Sequence, residues 1–120
     1  MSLETMEPTG EWSGSDDVLD VLGREGLTYL VWGGDWCGDC QDQLPTFAAA
    51  LDAAGVPDDR IEEFALDEDK QGEGVDEYGI EFIPTVVVER DGEEIARFVE
   101  EEPEGIAAHL ANKIAAESTA

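Results

Sequence analysis

Leu27-Thr28-Tyr29-Leu30-Val31-Trp32-Gly33-Gly34-Asp35-Trp36-Cys37-Gly38-Asp39-Cys40 leads from an apolar stretch through a glycine turn into a pair of cysteines. Its first six residues, mostly apolar with β-branched and aromatic members and no break, read as a buried strand. Both cysteines of the chain lie in its last four residues. Directly behind them Leu44, Phe47, Ala48 and Leu51 recur at helical spacing through about Ala54. Two intervening residues allow the sulfurs to close across the first turn of that helix. The unpaired N–H groups and positive dipole end of the helix favour a thiolate on the first cysteine. Such a dithiol suits reversible disulfide chemistry with no bound cofactor. The same spacing serves as half of a zinc site. Here no second cysteine pair exists and His109 is the only histidine, so a zinc centre would need carboxylates, which is uncommon for structural sites.

Working outward, Met1 to Gly14 is polar and acidic and reads as a loose arm, with Trp12 available to pin it to a domain spanning residues 15–120. Ser13 or Ser15 can cap a short helix carrying Val18, Leu19, Val21 and Leu22, which stops near Gly23 or Gly26. Pro45 falls inside the long helix and is expected to kink it. Ile61, Phe64 and Leu66 support a second strand ending at Asp67, followed by a charged loop to Gly74 and a short helix around Val75–Tyr78. Ile83-Pro84-Thr85-Val86-Val87-Val88 begins a third strand, and Asp91-Gly92 turns it into a hairpin whose return strand carries Ile95 and Phe98. Pro103 can open a last helix striped by Ile106, Leu110 and Ile114. The order helix, strand, helix, strand, helix, hairpin, helix predicts an α/β fold, a central mixed sheet flanked by helices on both faces.

The charge balance narrows the partners. Thirty-one acidic residues against six basic ones give a formal charge of −25, which opposes nucleic acid and anionic membranes. With 42% hydrophobic residues the 120-residue chain can still bury one core. Acidic residues occupy nearly every segment, a pattern that fits a salt-rich cytosol better than a local acidic tail. In dilute buffer this much like charge opposes compaction, whereas 1 M salt shortens screening to about 3 Å. Moving from molar to millimolar salt is therefore expected to lower the melting temperature in a thermal scan followed by circular dichroism. An unchanged midpoint would refute salt adaptation. No basic region followed by an apolar core opens the chain and no apolar run reaches bilayer length, so the expected compartment is the cytoplasm. There a vicinal thiol pair is catalytic more often than structural.

Taken together, Trp36-Cys37-Gly38-Asp39-Cys40, the helix containing Pro45, Asp67 closing the next strand, Tyr78-Gly79-Ile80 and Ile83-Pro84-Thr85 resemble the thioredoxin superfamily. Gly92 in the hairpin and the closing amphipathic helix match as well, and the resemblance covers about residues 15 to 116. The resemblance implies a thioredoxin-like three-layer sandwich and a thiol–disulfide oxidoreductase that reduces protein disulfides. By the same resemblance Cys37 is the exposed nucleophile, Cys40 the more buried resolving thiol, and Pro84 a cis-proline facing the dithiol. The backbone of Ile83 is then free to pair with an extended substrate, Trp36 forms part of an apolar platform, and Gly38 lets the partner chain approach. Trp32 reads as a plain core residue and His109 as a surface or helix-end histidine. A reductase resembling thioredoxin reductase, or another dithiol protein, would restore the reduced form of a monomer. An isomerase or oxidant is a second enzymatic reading, and a redox-insensitive adaptor binding extended peptides is a reading of another class.

Three positions depart from the family pattern. Asp39 replaces the usual proline between the cysteines, Val31 stands where the family has a buried acid, and Glu63 stands where a lysine often lies beside it. Another carboxylate or water must therefore accept the proton of the resolving thiol. Asp35, Asp39 and Asp42 also crowd the dithiol, and their charge disfavours a thiolate that the helix terminus favours.

Overall fold

The computed structural model describes residues 16–24, 26–34, 38–67, 72, 74–90, 92–99 and 105–118. The arm expected over residues 1–14 lies outside them. The elements follow the expected order: α1 (Asp16–Leu22), β1 (Leu27–Gly33), α2 (Gly38–Ala54), β2 (Ile61–Ala65), α3 (Val75–Tyr78), β3 (Thr85–Arg90), β4 (Glu93–Val99) and α4 (Gly105–Ser118). A 3-10 turn, Asp58–Arg60, leads into β2.

Among the described residues the strands form one mixed sheet in the order β2-β1-β3-β4. β1 lies parallel to β2 and antiparallel to β3, and β3 and β4 form an antiparallel hairpin with a bulge between Val88 and Glu89. The hairpin turns at Gly92, whose φ of 83° lies in the left-handed region that a side chain resists. Two boundaries differ from the sequence expectation. β2 ends at Ala65 rather than Asp67, although the Leu66 N–H still donates to the Gly33 carbonyl at 2.8 Å. β3 starts at Thr85 rather than Ile83, because Ile83 and Pro84 form a bend ahead of it. Proline brings no N–H to a ladder, so the regular pairing begins one residue later.

Strand alternation assigns the two faces. Tyr29, Val31, Val86 and Phe98 share one face, since Val31 pairs with Val86 and Val86 with Phe98. That face carries α2, whose Phe47 meets Tyr29 edge-on at 6.1 Å, and α4, whose His109 meets Phe98 edge-on at 5.6 Å. The apolar stripes Leu44, Phe47 and Leu51 of α2 and Ile106, Leu110 and Ile114 of α4 are buried. Each such side chain contributes roughly 1.5–3 kcal/mol of transfer free energy. α1 packs against α2 and α4. Its end is tied to β1 by the Tyr29 hydroxyl, which donates to the Leu22 carbonyl at 2.6 Å, and burial raises the Tyr29 pKa far above the usual phenol range.

The opposite face carries Leu30, Trp32, Phe64 and Val87, with α3 against it. Trp32 is fully buried, stacked on Phe64 at 4.8 Å and tilted against Tyr78 at 4.9 Å. Gly74, with φ of 82°, backs directly onto this indole: a Cβ there would stand 3.0 Å from Trp32 Cζ2. Trp32 is thus the core residue its sequence context suggests. No helix among the described residues is long and apolar enough to cross a membrane.

Candidate active site

Three chain segments meet at one end of the sheet. β1 finishes at Gly33 and runs into the dithiol loop, β2 finishes beside it, and β3 begins there, since Trp32 pairs with Thr85. β1 is also the strand at which connections diverge to either side, where open α/β sheets place their sites beyond the strand ends. Asp35, Trp36 and Cys37 lie outside the described residues. Cys37 immediately precedes Gly38, the first residue of the 17-residue α2, so in sequence it stands at the helix N-terminus.

Gly38 is exposed, and among the described residues nothing lies within 4 Å of where its Cβ would stand. Asp39 falls in the first turn of α2, and Asp42 is exposed one turn on. Cys40 is fully buried, in line with Leu44, Phe47 and Leu51 on the stripe facing the sheet. Helical periodicity explains this: with Leu44 and Phe47 committed to the core, the residue four before Leu44 has to point inward as well.

The Ile83–Pro84 peptide bond is cis, and both residues are buried. The Thr85 hydroxyl donates to the Phe82 carbonyl, closing the bend. Phe82 itself is 45% exposed, the one exposed large apolar side chain among the described residues. Sequence reasoning passed over it, although an aromatic residue just before Ile83-Pro84 in a chain this acidic was a visible signal.

A polar brace behind this bend was also missed. Arg97 grips Glu94 in a two-pronged ion pair at 2.8 and 3.0 Å and donates to the Tyr78 carbonyl at 2.9 Å. The Tyr78 hydroxyl donates to Glu89 Oε2 at 3.0 Å, and that acceptor raises the tyrosine pKa. Glu94 in turn raises the Arg97 pKa. α3 and the start of the segment leading to Pro84 are thereby bound to the hairpin. These contacts join residues 11 and 19 apart in sequence, so no local pattern announces them.

His109 departs from the surface or helix-end position expected of it. It lies inside α4, partly buried, with its ring against Phe98 and Nε2 donating to the Arg97 carbonyl at 3.2 Å. The flanking stripe residues Ile106 and Leu110 set the helix rotation that turns this ring toward β4. Val31 is fully buried and pairs in register with Glu63 on β2. No group of three or more metal-ligating side chains occurs among the described residues.

The profile of the Thioredoxin family matches residues 21–113 of this chain. A thioredoxin of Chlamydia muridarum is 32% identical over 84 residues, covering 70% of this chain and 78% of that protein. A thioredoxin of Bacillus subtilis is 29% identical over 99 residues, covering 82% of this chain and 92% of its own length. Among solved structures, a thioredoxin variant from Halobacterium salinarum superposes with a TM-score of 0.51 at 23% identity, covering 97% of this chain and 95% of that one. That last likeness supports the fold.

Proposed function

This chain belongs to the thioredoxin family and is a thiol–disulfide oxidoreductase that reduces protein disulfides, and from that premise we propose that Cys37 attacks and Cys40 resolves. The isomerase, oxidant and adaptor readings are not favoured by these relatives. The observation that carries the residue assignment is the burial of Cys40 in the first turn of α2, at the sheet end where the Ile83-Pro84 bend arrives.

In the first step the Cys37 thiolate attacks one sulfur of a substrate disulfide. A Cys37–substrate bond forms, the substrate S–S bond breaks, and one substrate thiolate departs and takes up a proton. Cys40 then loses its proton and attacks Cys37 Sγ. The Cys37–Cys40 bond forms, the mixed disulfide breaks, and the second substrate thiolate leaves. The substrate has gained two electrons and two protons, which the enzyme dithiol has lost. A dithiol donor resembling thioredoxin reductase, or another dithiol protein, returns them. The Ile83 backbone, Pro84, Trp36 and the open Gly38 form the surface that receives the extended substrate. Asp35 and Asp39 tune the thiolate by their charge, against the helix dipole. The protein works as a monomer in a salt-rich cytoplasm, with residues 1–14 an arm on the single domain 15–120.

Peptide mapping of oxidised protein tests the pairing. A link between Cys37 and Cys40, lost on treatment with dithiothreitol, is expected together with insulin reduction at molar salt. Oxidised protein lacking that link would remove the basis of the assignment.

A further inference from the structure

We propose that Glu63 accepts the proton of Cys40 when that buried thiol resolves the mixed disulfide. The inference rests on the roles of Cys37 and Cys40 given above. A thiol must lose its proton before it can attack, and Cys40 is fully buried, so water in bulk does not reach it. A base has to be built into the protein beside it.

Among the described side chains, placement selects one candidate. Phe47 of α2 touches Tyr29, and Cys40 stands seven residues earlier on the same stripe. Seven helical residues span about 10 Å, which equals about three residues of strand. α2 runs back along the strand it follows, so Cys40 sits over β1 between the levels of Val31 and Gly33. Glu63 pairs in register with Val31 on the neighbouring strand, and Ala65 with Gly33. Trp32 and Phe64 stack on the opposite face, so Val31 and Glu63 share the face that α2 covers. Adjacent strands lie about 4.8 Å apart and a helix layer stands about 10 Å from the sheet, so a glutamate on β2 and a cysteine on α2 come within reach of each other through one bridging water.

The other charged or titratable groups that alternation puts on this face stand elsewhere. The Tyr29 hydroxyl is bound to the Leu22 carbonyl, and Arg90 and Glu93 stand opposite each other in register at the hairpin end. His109 of α4 is held against β4, at the far side of the sheet from β2. On α2, Asp42 is exposed and Cys40 itself faces the sheet. Asp67, beyond the end of β2, is exposed to solvent. Glu63 is partly buried and keeps a route to solvent, so a proton it accepts can leave. The step balances: the Cys40 S–H proton passes to the Glu63 carboxylate, the Cys37–Cys40 bond forms, the Cys37–substrate bond breaks, and the pair of electrons departs on the substrate thiolate.

Stopped-flow reaction of the reduced protein with 4,4′-dithiodipyridine at molar salt separates the two steps, because each releases one thiopyridone. Glu63→Gln is expected to slow the second release at least about tenfold near neutral pH and to leave the first within twofold; Glu63→Asp restores part of the loss. A carboxylate acting only through its charge would hold the thiol protonated, and its removal would speed the second release. An accelerated or unchanged second release in a Glu63→Gln protein with wild-type circular dichroism overturns the proposal. Failure of the underlying roles looks different: Cys37→Ser would keep the first release, or Cys40→Ser the second.

Discussion

Cys37→Ser is expected to lower insulin reduction by at least about a thousandfold, the scale on which loss of a nucleophile acts. A hydroxyl at that position is not ionised by a helix N-terminus at neutral pH, and no other described thiol is accessible, because Cys40 is fully buried. Cys40→Ser is expected to behave differently. Attack by Cys37 proceeds, resolution does not, and the protein accumulates as mixed disulfides that non-reducing electrophoresis resolves and dithiothreitol releases. Catalytic turnover falls in both variants, but covalent capture of substrate appears only in the second. A Cys37→Ser protein that still reduces insulin would overturn the assignment of the attacking thiol. Equal trapping by both variants would show that the two thiols have interchangeable roles.

Trp32→Ala is expected to destabilise the fold by about 3–5 kcal/mol, the range for truncating a buried large aromatic residue. The indole is fully buried between Phe64 and Tyr78, with Gly74 against its edge, so removing it opens a cavity between β2 and α3. Against a total of roughly 5–15 kcal/mol, that loss is a large fraction of the stability of the protein. Urea is the suitable denaturant, since guanidinium chloride is itself a salt and would screen the charge of −25 as it unfolds the chain. With a urea slope of about 1–3 kcal/mol/M, the midpoint should fall by more than 1 M at molar potassium chloride. Trp32→Phe, which keeps a ring against Phe64, should lose far less. A Trp32→Ala midpoint equal to that of wild type would contradict the packing described here. The same substitution bears on the site, because Tyr78 leans on Trp32 while Arg97 and Glu89 hold it, and the segment to Pro84 starts from that tyrosine.

The contrast between His109 and Trp32 shows where sequence reading succeeds. Trp32 closes an unbroken apolar strand, and its burial follows from that context whatever lies beyond it. His109 sits between apolar stripe positions of α4, and whether its ring faces water or β4 depends on how far the helix is rotated over the sheet. The shift of the β3 start from Ile83 to Thr85 has a similar origin. Apolar character extends over Ile83, but ladder pairing depends on what the neighbouring strand offers and on a proline that cannot donate.

Within the linear chain, periodicity and adjacency already determined the mixed α/β order, the apolar stripe of Leu44, Phe47 and Leu51, the placement of the cysteine pair at a helix start, and the acidic character of the chain. Those properties depend on residues a few positions apart. Only the tertiary structure decided that Trp32 lies between Phe64 and Tyr78, and that Arg97 braces the segment leading to Pro84. Each of those contacts joins separate elements, and a one-residue slip of the strands would send Trp32, Phe64 and Arg97 to the other face of the sheet.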